Sequence, residues 1–208
     1  MKRKLGFFFV AAGMLLMLAA SALLLYNRRE SQNAFLSSQS ALSAMQADAA
    51  STAPPAENPY LDHVNPYDQV AAEIAAQMKE VEINGELYIG YLTIPVLKLE
   101  LPVISEWSYE RLQIAPCRQF GSTKTDDLVI AAHNYASHFG KLSQLRQGDL
   151  LTFSDMDSDV ILYEVAAVDI LEPTAVKAVK NSDFDLVLYT CTYGGENRIV
   201  VFCNRAKA

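Results

Sequence analysis

The run Leu186-Val187-Leu188-Tyr189-Thr190-Cys191 is apolar, rich in strand-forming residues, and ends on a thiol. A polar turn follows, Thr192-Tyr193-Gly194-Gly195-Glu196-Asn197, and Arg198-Ile199-Val200-Val201-Phe202 then resumes the strand texture. Two such runs joined by a short polar loop containing glycine predict a β-hairpin. Cys191 closes one strand and Arg198 opens the next, so the hairpin holds a thiol and a guanidinium close together.

Outward from this hairpin the same texture extends back to Glu86, with short apolar segments broken by Gly, Pro, Asn and Asp. Strands are predicted at Leu87–Ile94, Leu99–Ile104, Leu128–Ala132, Leu150–Phe153, Val160–Leu171, Asp185–Cys191 and Arg198–Asn204. Gly148-Asp149 and Asp155 to Asp159 mark turns, and short helices are predicted at Tyr109–Ile114 and Val176–Val179. Many short strands with close turn signals predict a mainly β sandwich or barrel. Upstream, Asn65-Pro66 reads as a helix cap followed by proline in the first helical position. Val70, Ile74, Met78 and Val81 are spaced for one helical face, so a helix is expected from Tyr67 to Val81, ended by Asn84-Gly85. Residues 30–58 are rich in Ala, Ser and Gln, end in Ala53-Pro54-Pro55-Ala56, and read as a weakly ordered stalk with some helix around Phe35 to Met45.

The charge is unevenly distributed. The first 29 residues hold five of the 17 basic residues and no acidic ones, which leaves 24 acidic and 12 basic residues from Glu30 onward. A body carrying a formal charge of −12, with no basic stripe, is unsuited to neutralising phosphates, so nucleic acid is excluded as a partner. Met1-Lys2-Arg3-Lys4 precedes an uncharged apolar run from Leu5 to Tyr26, closed by Asn27-Arg28-Arg29. Roughly 22 helical residues at about 1.5 Å each match a hydrocarbon core of about 30 Å. The expectation is a single-pass anchor in the cell membrane, with the basic N-terminus cytoplasmic and the body extracellular. A cleaved secretory signal is the competing reading, on the small residues Ala20-Ser21-Ala22. The expected organisation is basic flank and transmembrane anchor over 1–29, stalk over 30–64, helical extension over 65–83 and catalytic β domain over 84–208.

Cys117, Cys191 and Cys203 make an odd count, so an exported chain keeps at least one thiol free or pairs it with another chain. A nucleophilic thiol requires a neighbouring base or cation and a donor for the developing oxyanion. Of the three histidines, His63 lies ahead of the predicted helix, while His133 and His138 follow the strand Leu128–Ala132. A side chain at a strand end is held by the sheet, which favours His133 over His138. Arg198 stays protonated and can present forked donors to an oxyanion or carbonyl. Its rival, Arg205, lies at the far end of the same strand. Cys203 sits mid-strand and reads as a core residue.

At these residues the chain resembles the sortase family. That family's Thr-Leu-x-Thr-Cys signature appears as Val187-Leu188-Tyr189-Thr190-Cys191, with Val in the first position. Val129-Ile130-Ala131-Ala132-His133-Asn134 is similar to its hydrophobic strand ending in a small residue and His. Phe139-Gly140-Lys141-Leu142 and Leu145-Arg146-Gln147-Gly148-Asp149 resemble the stretch that follows, and Ile89-Gly90-Tyr91-Leu92-Thr93-Ile94-Pro95 with Leu101-Pro102-Val103 resembles the opening hairpin. The likeness spans about residues 86–205.

The resemblance implies an eight-stranded β-barrel with short helices, and a two-step transpeptidation. Cys191 would be the nucleophile, His133 the general acid and base, and Arg198 the oxyanion or substrate stabiliser, with Thr190 and Asn134 as substrate-binding contributors. The implied partners are a surface or pilin protein bearing a C-terminal sorting motif and an amine acceptor such as a cell-wall precursor. No cofactor and no metal are implied. His133-Asn134 through Phe139 resembles class B members, but the stretch between Leu171 and Phe184 is too short for the long helix of that class. Two other functions fit the residues: a secreted cysteine hydrolase passing its acyl group to water, and a membrane-tethered binding module without chemistry.

Overall fold

The computed structural model describes residues 2–49 and 77–206, with the side chains of the first segment described over 12–47. A 48-residue helix, α1 (Lys2–Ala49), precedes a β domain. Its strands are β1 (Val81–Ile83), β2 (Glu86–Ile94), β3 (Leu99–Ile104), β4 (Cys117–Phe120), β5 (Leu128–Ala131), β6 (Leu150–Asp155), β7 (Val160–Leu171), β8 (Leu186–Cys191) and β9 (Arg198–Arg205). Two short helices, α2 (Tyr109–Leu112) and α3 (Val176–Lys180), interrupt them.

The sheet order is β1-β2-β3-β4-β5-β8-β9-β7-β6, and β6 pairs again with β2. That last pairing closes eight strands into a barrel and leaves β1 as a short flap on β2, so the expected eight-stranded barrel is the observed fold. Closure places backbone against backbone at Gly90, which pairs with Asp155 across the seam. Gly90 adopts φ +149°, and a Cβ there would lie 2.2 Å from the Ser154 carbonyl oxygen, so the seam demands glycine.

Alternation along the strands sorts side chains into an interior and an outer layer. Leu128, Ile130, Leu186, Leu188, Val201 and Cys203 point inward to the main core, together with Phe139, Phe153 and Tyr163. Val129, Val187, Val200 and Phe202 point outward and are covered by Val179 of α3. A second outer cluster packs Ala41 and Met45 of α1 onto Tyr88, Ile104, Cys117 and Ala131. β5 and β8 are thus buried on both faces, which is why they read as unbroken apolar runs.

The N-terminal half departs from expectation. Residues 30–49, expected as the start of a loose stalk, continue α1 and dock on the barrel through Ala34, Ser38, Ala41, Leu42 and Met45, all buried. Their spacing is that of one helical face, and the small side chains let the helix axis approach the sheet closely. The expected anchor over 1–29 lies in the same helix, which continues past Tyr26 into polar residues. Among the described residues no helix is long and apolar enough to cross a membrane. Most of the helix expected over 65–83, and His63, lie outside the described residues. Its end is a strand: Val81 pairs with Tyr88 of β2 through a turn at Asn84-Gly85, where both residues have positive φ (54° and 84°). That pair of angles is the hairpin turn for which Asn-Gly is best suited, and strand pairing prevails there over the helical spacing of Met78 and Val81.

Candidate active site

β5 and β8 run parallel and in register, Leu128 beside Leu186 through Ala131 beside Tyr189. The Ala132 N–H continues the ladder by donating to the Tyr189 carbonyl at 3.2 Å. β5 ends at Ala131, and His133 follows two residues beyond it, just past the end of the ladder with β8. β8 and β9 run antiparallel, with Cys191 directly opposite Arg198. Side chains of such a cross-strand pair share a face with Cβ atoms about 5 Å apart. The β8–β9 register thus pairs Cys191 with Arg198, and His133 lies just beyond the end of β5, the neighbour of β8.

The connecting loop is braced. The Thr192 N–H donates to the Asn197 carbonyl at 2.9 Å, and the Asn197 N–H to Thr192 Oγ1 at 3.0 Å. Arg198 Nη1 donates to the carbonyls of Gly195 (3.0 Å) and Asn197 (3.1 Å), so loop carbonyls aim part of the fork and leave other donors available. Thr190 differs from its expected substrate contact. It is buried, faces the barrel interior, and its hydroxyl donates to the Ala132 carbonyl at 2.8 Å. Alternation puts it on the opposite face from Cys191, so Thr190 ties the cysteine strand to the histidine strand. Asn134 spans the same gap from outside, its Nδ2 donating to the Thr192 carbonyl at 3.4 Å.

The three thiols are free and differ in environment. Cys117 and Cys203 are fully buried, and burial pushes the pKa of each up to about 12, where they are unreactive protonated thiols. Cys191 is partly exposed. A thiol-selective alkylator should therefore label one site per native chain, Cys191, and three after denaturation. Mass spectrometry of the digested adducts checks this, and native labelling of Cys117 or Cys203 would contradict it. Burial lowers the pKa of His133 below its ordinary value of 6.5, and Glu30 of α1 opposes that shift. His138 is completely buried, away from the groove. Arg205 forms an ion pair with Asp126 at the far end of β9, which removes it from this site.

Beside Arg198 the outer wall hollows into a groove of about 220 Å³. Tyr189 and Val200 form its floor, Trp107, Tyr109 and Phe120 one side, and Leu171 to Val179 the other. The Tyr189 hydroxyl donates to Gln119 Oε1, and the Trp107 and Tyr109 rings meet edge to face with centroids 4.8 Å apart. Sequence reasoning did not identify this groove, although Tyr189 shares the parity of Cys191 on β8. Its other walls come from distant segments and carry no local signal. Among the described residues no group of three or more His, Cys, Asp or Glu side chains is arranged to hold a metal ion. The acidic turn Asp155 to Asp159 is instead occupied by the Lys124 ammonium, 3.1 Å from both Asp155 and Asp159.

Comparison with known proteins gives a consistent result. The family model described as "Sortase domain" matches residues 92–206. A search of the curated proteins found no match. Among solved structures, sortase C1 from Streptococcus suis is 25% identical with a TM-score of 0.55, covering 71% of this chain and 90% of that one. Sortase C from Streptococcus pneumoniae is 22% identical with a TM-score of 0.54, covering 86% and 90%. Sortase A from Corynebacterium diphtheriae is 19% identical with a TM-score of 0.55, covering 91% and 96%.

Proposed function

The chain belongs to the sortase family, and on that premise we propose that it is a cysteine transpeptidase acting through Cys191, His133 and Arg198. The observation that supports this assignment most is the register that sets Cys191 directly opposite Arg198, which also lines the neighbouring groove. His133 takes the Cys191 thiol proton, and the thiolate adds to a backbone carbonyl in the sorting motif of a surface or pilin protein. Arg198 donates to the oxyanion, the C–N bond breaks, and His133 gives its proton to the leaving amine. The product is a thioester on Cys191. An amine then attacks that thioester, His133 takes the amine's proton, and the Cys191 thiolate leaves as the new amide forms.

The structure of Clostridium perfringens sortase C with its C-terminal cell wall sorting motif and the pilin specificity described for the Streptococcus pneumoniae enzyme support this substrate class. The acceptor amine, from a cell-wall precursor or a pilin lysine, follows from the same chemistry. We also propose a membrane tether, supported by Lys2-Arg3-Lys4, the charge-free run Leu5 to Tyr26, and the exposure of its large apolar side chains between Met14 and Tyr26.

One preparation tests both parts. Membranes carrying the full chain are extracted with alkaline carbonate, then given sorting-motif peptides with and without an oligoglycine or hydroxylamine acceptor. Retention in the pellet and acceptor-dependent ligation product are expected. Release into the supernatant would refute the tether. Cleavage at one rate regardless of acceptor would make the protein a hydrolase, and peptide binding without turnover would make it a binding module.

A further inference from the structure

The docked part of α1 lies against the loop that leaves His133, and its contacts there are polar and specific. Ser38 Oγ donates to the Ile114 carbonyl at 2.8 Å and lies 3.3 Å from His138 Nε2. With the Ser38 proton given to Ile114, the contact suits the His138 tautomer that carries its proton on Nε2, and the Ala34 backbone of α1 also hydrogen-bonds to this ring. Burial, reinforced by neighbouring His133, pushes the His138 pKa down to about 4, so this ring is neutral at neutral pH. Its Nδ1 is then a bare lone pair, and among the described residues it has no partner. Two turns earlier on α1, the Ser31 carbonyl accepts from Ser137 Oγ at 3.1 Å.

His138 is linked to His133 through tilted ring contacts with Tyr135. The Tyr135 ring lies between the two imidazoles, with centroids 4.8 Å from His133 and 5.5 Å from His138. The loop itself is tight. Its Phe139 N–H donates to the His133 carbonyl at 3.2 Å and its Gly140 N–H to the Tyr135 carbonyl at 2.9 Å. A Cβ at Gly140 would lie 2.5 Å from the Asn134 carbonyl oxygen, so the backbone there is pressed closed. Phe139 plugs the loop into the core, and α1 caps it from outside.

We propose that α1 is a positioning element of the active site, in which Ser38 holds His138 and the chain of ring contacts His138–Tyr135–His133 orients the His133 imidazole for its role with Cys191. The inference rests on the assignment of His133 as the acid–base residue. Tyr135, His138 and Ser38 touch no substrate in this reading; they hold the ring that does. A ring misplaced by about 1 Å can cost about a hundredfold in rate. The charged and titratable groups facing His133 are Glu30 from α1 and Tyr135 and His138 from its own loop.

The test compares Tyr135→Leu, Tyr135→Phe and Ser38→Ala with the parent and with His133→Ala, all as full chain, with melting temperatures measured alongside. Tyr135→Leu should lower kcat about 10- to 100-fold with KM for the peptide unchanged within about twofold, and should shift the acidic limb of the pH profile. Tyr135→Phe keeps the ring and should retain the parent kcat within about threefold. Ser38→Ala should lower kcat several-fold from a residue remote from the groove. If Tyr135→Leu fails to fold, Ser38→Ala carries the test alone. Parent-like kcat and pH profile in folded Tyr135→Leu or in Ser38→Ala, with His133→Ala inactive, would overturn the positioning role. An active His133→Ala would instead overturn the catalytic assignment on which the proposal stands.

Discussion

Cys191→Ala forms no covalent adduct with any sorting-motif peptide and loses acceptor-dependent ligation by at least about 10⁴-fold, while peptide binding persists. The expectation follows from position. Among the three thiols only Cys191 is outside the core, and Cys117 and Cys203 are held protonated by burial. No second nucleophile can replace it, because Thr190 faces inward and has its hydroxyl bound to the Ala132 carbonyl. Loss of a nucleophile from a coupled catalytic set costs about 10⁴ to 10⁶ in turnover. The groove loses little, since Tyr189, Trp107 and Val200 are untouched. Peptide affinity measured by fluorescence or calorimetry should therefore stay within a few-fold. Residual ligation above a hundredth of the parent rate would remove Cys191 from the mechanism.

His133→Ala is the second large effect, about 10² to 10⁴ in kcat, the range over which a positioned proton-transfer group acts. The expected pH dependence has a definite sign. Burial places the His133 pKa below 6.5, with Glu30 opposing, so the neutral imidazole dominates at neutral pH and is ready to take the proton of an incoming amine. The rate of the acceptor step, measured on preformed thioester, should rise with pH and level off after a midpoint below 6.5. In His133→Ala that limb should vanish. A midpoint above 6.5 would mean that a neighbouring anion outweighs burial at this ring.

Much of the barrel could be read from the chain. Val160–Leu171 and Leu99–Ile104 are strands with the expected bounds because their apolar character matches a sheet buried on one or both faces. β4 was not predicted. Cys117-Arg118-Gln119-Phe120 has two polar residues in the middle, and its pairing with β3 is a single bridge between Ile104 and Cys117. No local pattern announces a strand held mainly by its neighbour β5. The docking of α1 was hidden for a related reason. Helix around Phe35 to Met45 was expected, but the buried face Ala34, Ser38, Ala41, Leu42 and Met45 opens on small residues that give no sign of docking until a sheet is placed against it. The strand ends themselves were legible, since β8 closes on Cys191 and β9 opens on Arg198, as their apolar runs predict. The groove walls and the ring contacts through Tyr135 depend on segments brought together only by folding. Parity along β8 decides the one reassigned residue: Thr190 and Cys191 are adjacent in sequence and therefore face opposite sides of the wall.

The most direct test is intact mass spectrometry of the full chain after rapid mixing with a sorting-motif peptide in the absence of acceptor. The predicted result is a single adduct equal to the N-terminal peptide fragment less water, mapped by digestion to Cys191, discharged by hydroxylamine and absent in Cys191→Ala. An unmodified chain across a panel of motifs under turnover conditions, or an adduct mapped to Cys117 or Cys203, would contradict the account.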